Sequence, residues 1–199
     1  MFSEITPALA ARMKQLEDRD RGDRSDGTSY SHRLKQIPPD VGKFLALLAA
    51  GAPPGEFVEI GTSAGYSALW ISLVTEQRGI KLKTFEVLPH KIELARETFS
   101  LTARWNSVEL VEGNFLEKGT HLQSIAFCFL DCDKAYYEQC YELVAARLVP
   151  QGLLVIDNAL SHFDEIKPII DKICSDERLD SMIVPIGNGE LVCRRKPTA

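Results

Sequence analysis

Residues 57–67, Phe57-Val58-Glu59-Ile60-Gly61-Thr62-Ser63-Ala64-Gly65-Tyr66-Ser67, constrain the fold more than any other stretch. The apolar run Phe57, Val58 and Ile60 stops at Gly61, and Tyr66, Leu69, Trp70 and Leu73 then fall at helical spacing. The pattern predicts a strand, a tight turn and a helix. The first N–H groups of a helix at such a turn lack intrahelical partners, which suits a carboxylate or phosphate. Gly61 and Gly65 carry no Cβ and let a ligand approach the backbone. An ordinary strand-to-helix connection would look the same, so the stretch gains meaning only from the residues downstream of it.

The rest of the chain alternates between strand and helix patterns. Pro38-Pro39-Asp40 opens a helix over about 41–50, before the central strand. A second strand over 81–87 ends at Glu86, and Pro89 starts a helix through Leu101. Residues 108–111 read as a third strand. Residues 124–130 read as a fourth, nearly all apolar, as a strand buried on both faces of a parallel sheet should be. A helix over 136–148 is ended by Pro150-Gln151-Gly152, a fifth strand covers 153–156, and a helix lies near 168–174. Two last apolar runs flank Gly187-Asn188-Gly189, a hairpin signal. This order predicts an α/β fold: a doubly wound, mostly parallel seven-stranded sheet with right-handed crossovers, ending in an antiparallel hairpin.

The expected organisation is an N-terminal arm over 1–36 and one domain over 37–199. Between Arg12 and Lys35, seven basic residues face five acidic ones, and Gly22, Ser25 and Gly27 interrupt any helix. That composition reads as a solvated arm, with a substrate lid or a dimer contact as the functional alternative. The net charge of −5 argues against nucleic acid as the partner. The longest apolar run, Phe44 to Ala50, is too short to cross a bilayer, and no signal-peptide pattern is expected. Five cysteines without zinc or redox spacing read as reduced thiols of a cytosolic protein.

In such sheets ligands bind beyond the carboxyl ends of the strands. Those positions hold Gly61 to Ser67, Glu86, Gly113-Asn114, Asp131-Cys132-Asp133-Lys134 and Asp157-Asn158. An acid at the end of the second strand suits the two hydroxyls of a ribose. A dinucleotide fingerprint needs a second glycine where Ser63 stands. The arrangement Glu59-x-Gly61-x-x-x-Gly65 suits S-adenosylmethionine (AdoMet), which brings a carboxylate and no pyrophosphate. Asp131 and Asp157, if at adjacent strand tips roughly 4.8 Å apart, can share one hard cation. A dehydrogenase or a non-catalytic nucleotide-binding module is the rival from another class.

These residues resemble the cation-dependent O-methyltransferases, the group of catechol and caffeoyl-CoA O-methyltransferases and their bacterial relatives. The resemblance runs from Ile37 to Lys196, through Val58–Ser67, Phe85-Glu86, Phe129–Lys134 with Tyr137, Leu148–Asn158 and Pro185–Gly189. It implies that Glu59, Gly61, Ser63, Gly65, Tyr66, Ser67, Glu86, Asn114 and Asp131 bind AdoMet. It further implies that Asp131, Asp157 and Asn158 hold Mg²⁺ or a similar ion, that Lys134 is the catalytic base, and that the protein is a homodimer. The acceptor would be a small, hydroxylated aromatic molecule. A free lysine titrates near about 10.4, so a base at neutral pH needs a nearby dication to favour its neutral form. A metal-independent methyltransferase of the same fold is the nearest rival. Relatives carry aspartate where Asn114 stands and a longer loop after the Asp157-Asn158 pair.

Overall fold

The computed structural model describes residues 2–197. The strands are β1 (Glu56–Ile60), β2 (Leu82–Glu86), β3 (Val108–Glu112), β4 (Ile125–Leu130), β5 (Leu148–Ile156), β6 (Leu179–Val184) and β7 (Glu190–Arg195). They form one sheet in the order β3-β2-β1-β4-β5-β7-β6. The pairs from β3 to β5 are parallel, and β7 joins β5 and β6 antiparallel. Strand order reverses between β1 and β4, which places the switch point above Ile60 and Leu130. The sequence-based fold class therefore holds.

Helices α2 (Pro39–Gly51), α3 (Tyr66–Arg78) and α4 (Pro89–Leu101) cover one face of the sheet. Helices α5 (Phe115–Lys118), α6 (Tyr137–Ala145) and α7 (Phe163–Cys174) cover the other. Side chains of β4 and β5 alternate between the two cores, Phe129 and Val155 toward the first and Leu130 and Ile156 toward the second. That alternation fixes which way the next residues, Asp131 and Asp157, face.

Three expectations need correction. Residues 7–22 are no solvated arm: they form helix α1 (Pro7–Gly22), capped by Thr6, with Leu9, Met13 and Leu16 buried in the first core. Apart from the buried Arg12, the charged residues of this segment lie outside the narrow inner stripe of the helix. The fifth strand starts at Leu148 and runs through Pro150-Gln151-Gly152. Pairing shifts from Ile125↔Leu148 to Phe127↔Leu153, so β5 bulges by three residues there, with Gln151 at φ 66°. Helix α7 begins at Phe163 and carries Pro168 inside it, which leaves only Ala159–His162 between the Asp157-Asn158 pair and α7. The loop is even shorter than the sequence suggests.

Candidate active site

The turn after β1 uses three left-handed residues, Gly61 (φ 103°), Ser63 (φ 48°) and Gly65 (φ 86°). At Gly61 the reason is steric. A Cβ there would overlap the carbonyl of Asp131, so the backbones of β1 and β4 touch at the switch point. Ser63 has no such freedom, and three partners hold it: its N–H donates to Glu86 Oε2 (2.8 Å), its hydroxyl donates to Leu34 O (2.9 Å), and Lys91 Nζ donates to that hydroxyl (3.1 Å). Glu86 also accepts from the N–H groups of Val87 (2.9 Å) and Leu88 (3.0 Å). Its carboxylate, on a residue only 7% exposed, is thus fixed by three backbone donors before any ligand arrives.

Around this turn opens a cleft of about 1140 Å³. Its walls bring together Gly61, Ser63, Tyr66, Ser67, Glu86, Asn114, Asp131, Lys134 and Asn158, from five strand ends distant in sequence. Glu59, Gly65 and Asp157 are not on its walls. Glu59 is fully buried beneath the turn, where Ser67 and Thr84 donate to its two oxygens. Burial raises it to about 7, although those hydrogen bonds oppose the shift. Gly65 lies against the ring of Phe99, which leaves no room for a Cβ. Asn114 caps α5, its Oδ1 accepting from Leu116 N (3.0 Å).

Asp131 and Asp157 stand side by side, since Leu130 pairs with Ile156. Lys134 Nζ donates to Asp131 Oδ1 (3.1 Å), to Cys132 O (3.2 Å) and to the Tyr137 hydroxyl (2.7 Å). Asp133 caps the 3₁₀ turn beyond it, accepting from Ala135 N, so the capping role falls to it and not to Asp131. Asp157 Oδ1 accepts from Asn158 N (2.6 Å), and Asn158, at φ 69°, donates its side-chain amide to Ser161 Oγ (3.1 Å). Burial first, and then the charge of Asp131, push Asp157 up to about 7.

The donor set fits a hard dication: two carboxylates and one amide oxygen at neighbouring strand tips, with the negative charge on Asp157 poorly compensated. Among the described residues, no three His, Cys, Asp or Glu side chains close around one point as they stand. Asp131 is turned to Lys134, and Asp157 to its neighbour's amide.

Sequence reasoning offered a lid as one alternative for residues 1–36 but did not single out residues 30–37. Tyr30, Arg33, Leu34, Lys35, Gln36 and Ile37 line the cleft, and Leu34 is buried where its carbonyl takes the Ser63 hydroxyl. It also missed Glu190 at the start of β7, which is fully buried. A charged residue at the head of a hairpin strand carries no sequence signal for burial, because such positions are usually exposed.

A doubly wound sheet of this strand order, with an acid-bearing cleft at its switch point, defines the Rossmann-like methyltransferase class. A sequence model described as O-methyltransferase matches residues 24–196. The chain belongs to that family. A protein of Mycobacterium sp. (strain JLS), whose name assigns it provisionally to the O-methyltransferases, is 29% identical over 174 residues, covering 80% of this chain and 79% of that one. The O-methyltransferase of Bacillus cereus, solved in complex with SAH, superposes with a TM-score of 0.74 at 19% identity, over 94% of this chain and 91% of that one. The O-methyltransferase TomG of Streptomyces achromogenes, solved with SAM, gives 0.72 at 18% identity, over 91% and 89%. At these identities the solved structures speak for the fold. Among the described residues no helix is long and apolar enough to cross a membrane.

Proposed function

We propose that the protein transfers the methyl group of AdoMet to a hydroxyl of a small aromatic acceptor, with a divalent cation held by Asp131, Asp157 and Asn158. One observation carries the reading. The Glu86 carboxylate, fixed by three backbone donors, and the Lys134 ammonium open into the same cleft at the switch point. The first suits the ribose of a nucleoside donor, and the second suits the oxygen of an acceptor hydroxyl, whose proton it could take only as the neutral amine.

AdoMet, when bound, supplies an electrophilic methyl group on a sulfonium. Glu86 would accept from a ribose hydroxyl at the Oε2 site its three backbone donors leave free, without reorganising, which is where a preformed carboxylate gains most. Gly61, Ser63, Tyr66 and Ser67 would line the methionine end. Asn114 is committed to Leu116 N, so the adenine edge would rest on Phe115 and the backbone of this loop. Lys134, held between Asp131 and Tyr137, would orient the acceptor hydroxyl and, once it has given up its own proton to solvent and stands as the neutral amine, take the hydroxyl proton. A cation at Asp131, Asp157 and Asn158 would supply charge stabilisation for the acceptor oxyanion.

Residues 30–37 close one side of the cleft and would act as a lid over the acceptor. The acidic net charge supports a small-molecule acceptor over nucleic acid. The homodimer and the cytoplasmic location rest on the family resemblance and on the reduced cysteines.

The metal-independent reading is favoured by the Asp131–Lys134 ion pair, which already neutralises one carboxylate. The deciding experiment is a methyl-transfer screen across catechols, flavonoids and acyl-CoA phenolics, with Mg²⁺ and after exhaustive EDTA treatment. Turnover lost with EDTA and restored by Mg²⁺ supports the cation. Full turnover after EDTA leaves a metal-independent methyltransferase. Melting shifts with NAD⁺ but none with AdoMet would overturn both readings.

A further inference from the structure

The ladder that sets Asp131 beside Asp157 continues one strand further. Ile156 pairs with Leu191 in the antiparallel β5–β7 ladder, so the next rung places Asp157 opposite Glu190. Facing residues on neighbouring strands have Cβ atoms roughly 4.5–5.5 Å apart. Alternation agrees: Leu191 and Cys193 join the core under α6 and α7, whereas Val192 packs against the opposite core with Val155 and Phe129. Glu190 therefore projects from the same face as Asp157 and Asp131. Three carboxyls stand in one row across β4, β5 and β7, at the end of the sheet where the cleft opens.

Glu190 is the odd member of that row. Its residue is fully buried, and neither carboxylate oxygen makes a well-formed hydrogen bond, although the Asp157 carboxyl lies beside it. Two facing carboxyls can pair only by sharing a proton, and as two buried anions without a cation they repel each other at considerable cost. The Lys134 ammonium does not pair with it, being engaged by Asp131 and Tyr137. Nothing in the packing of β7 calls for a carboxylate there. An apolar residue would satisfy the strand better.

We propose that Glu190 is a further oxygen donor to the divalent cation, so that the ion is held by Asp131, Asp157, Asn158 and Glu190. This rests on the cation reading of the same site and extends it. Four protein oxygens, three of them charged, bind a dication more tightly than three. On a six-coordinate ion four such donors would leave two positions for acceptor oxygens or water. Closing the set requires Asp131 to turn from Lys134 and Glu190 to turn toward Asp157, which the ion's charge would drive. The short Ala159–His162 connection leaves this end of β7 beside the site, with Ala159 N donating to Gly189 O (2.8 Å) and Leu160 N to Asn188 O (3.0 Å).

The test is calorimetric titration of Mn²⁺ into the metal-stripped protein, wild type against Glu190→Gln and Glu190→Leu, with melting curves in EDTA and in Mn²⁺. The wild type should bind Mn²⁺ and melt higher with it. Glu190→Gln should bind at least roughly tenfold more weakly, as losses around metal sites generally do. In EDTA both variants should melt above wild type, because the buried carboxyl facing Asp157 is gone, and in Mn²⁺ that order should reverse. Wild-type Mn²⁺ affinity in Glu190→Gln would overturn the inference and leave the three-ligand site standing. Variants that melt below wild type in EDTA as well as in Mn²⁺ would show a structural carboxyl and also overturn it. A wild type that binds no Mn²⁺ would overturn this inference and the cation reading together. Binding of S-adenosylhomocysteine, measured on the same samples, reports the methyltransferase reading separately.

Discussion

The Lys134 ammonium sits 3.1 Å from the Asp131 carboxylate, so the proposed base and a proposed metal ligand satisfy each other in this structure. A cation and Lys134 must then compete for one carboxylate. Binding of the ion would displace the ammonium from Asp131 while leaving it beside Tyr137, 2.7 Å away. Lys134→Met should lower kcat by roughly 10²–10⁴-fold, the usual contribution of a positioned base. The same variant should bind Mn²⁺ more tightly than wild type, since it lacks the competing cation. Weaker Mn²⁺ binding in a folded Lys134→Met protein would show that the lysine supports the metal site and is not displaced by the ion.

Glu86 makes a second test, because its three backbone bonds tie the ribose position to the turn. Glu86→Ala removes a charged acceptor from any ribose and also frees Ser63, held at φ 48°. Affinity for S-adenosylhomocysteine should fall by about 1.5–3 kcal/mol, roughly ten- to a hundred-fold. Glu86→Gln keeps an acceptor but not the charge and should fall between. Calorimetry settles it, and an unchanged affinity in Glu86→Ala would remove this residue from the site.

Why the strand tips could be read from sequence is clear from α4 and β4. Pro89 at the first helical position and apolar residues at helical spacing define α4 from Pro89 to Leu101, as expected residue for residue. The unbroken apolar run of β4 marks a strand buried on both faces, so the polar residues just after it had to lie at a sheet end. Proline misled where packing overrode it. Pro150 sits in a bulge inside β5, and Pro168 lies within α7, so neither marks a boundary. The Asn188-Gly189 signal found the hairpin, and the connection is the five-residue Pro185–Gly189 loop, two residues longer than the Gly187-Asn188-Gly189 break in the sequence. Glu190 was invisible for a deeper reason. Its burial and its neighbours depend on the β5–β7 register, a pairing between distant segments that local pattern cannot supply.

Glu59 predicts a pH dependence. Burial raises it to about 7 from an ordinary carboxyl value, so the folded protein holds a proton there that the unfolded chain has released. Between about 4.5 and 7 the native state therefore binds more protons, and this group's contribution to stability falls as pH rises through that window. The loss is complete above about 7 and amounts to at most about 3 kcal/mol. Asp157, also raised, acts in the same direction in metal-free protein, so the measurement is a difference. Glu59→Gln keeps acceptor capacity toward Ser67 or Thr84 and should show a shallower fall of Tm between about pH 5 and 8. Parallel Tm curves for the two proteins would exclude Glu59 as the titrating group.

The N-terminal helix offers the prediction that departs furthest from a reading of its charges. Leu9 and Leu16 are 0% and 1% exposed, on the inner stripe of α1 against α3 and α4. Arg12, itself buried, donates Nε to Thr98 Oγ1 (3.1 Å) and a terminal nitrogen to Glu97 (3.0 Å), both on α4. Glu17 accepts from the hydroxyl of Tyr66 (2.7 Å), the first residue of α3 after the glycine turn. Beyond the helix, Asp23 takes the N–H of Leu34 (2.9 Å), whose carbonyl holds Ser63. The helix therefore braces both the back of the site and the segment over 30–37 that lines the cleft. Leu16→Ala should cost roughly 2–4 kcal/mol, the range for emptying a buried leucine site. For a chain of this size that lowers Tm by about 2–4 °C per kcal/mol. Glu17→Ala should cost far less stability yet weaken S-adenosylhomocysteine binding, because it loosens Tyr66 without opening a cavity. Deleting residues 1–22 should expose the apolar faces of α3 and α4 and produce aggregation. A soluble truncated protein with wild-type Tm and ligand affinity would show that α1 is the dispensable arm its composition suggests.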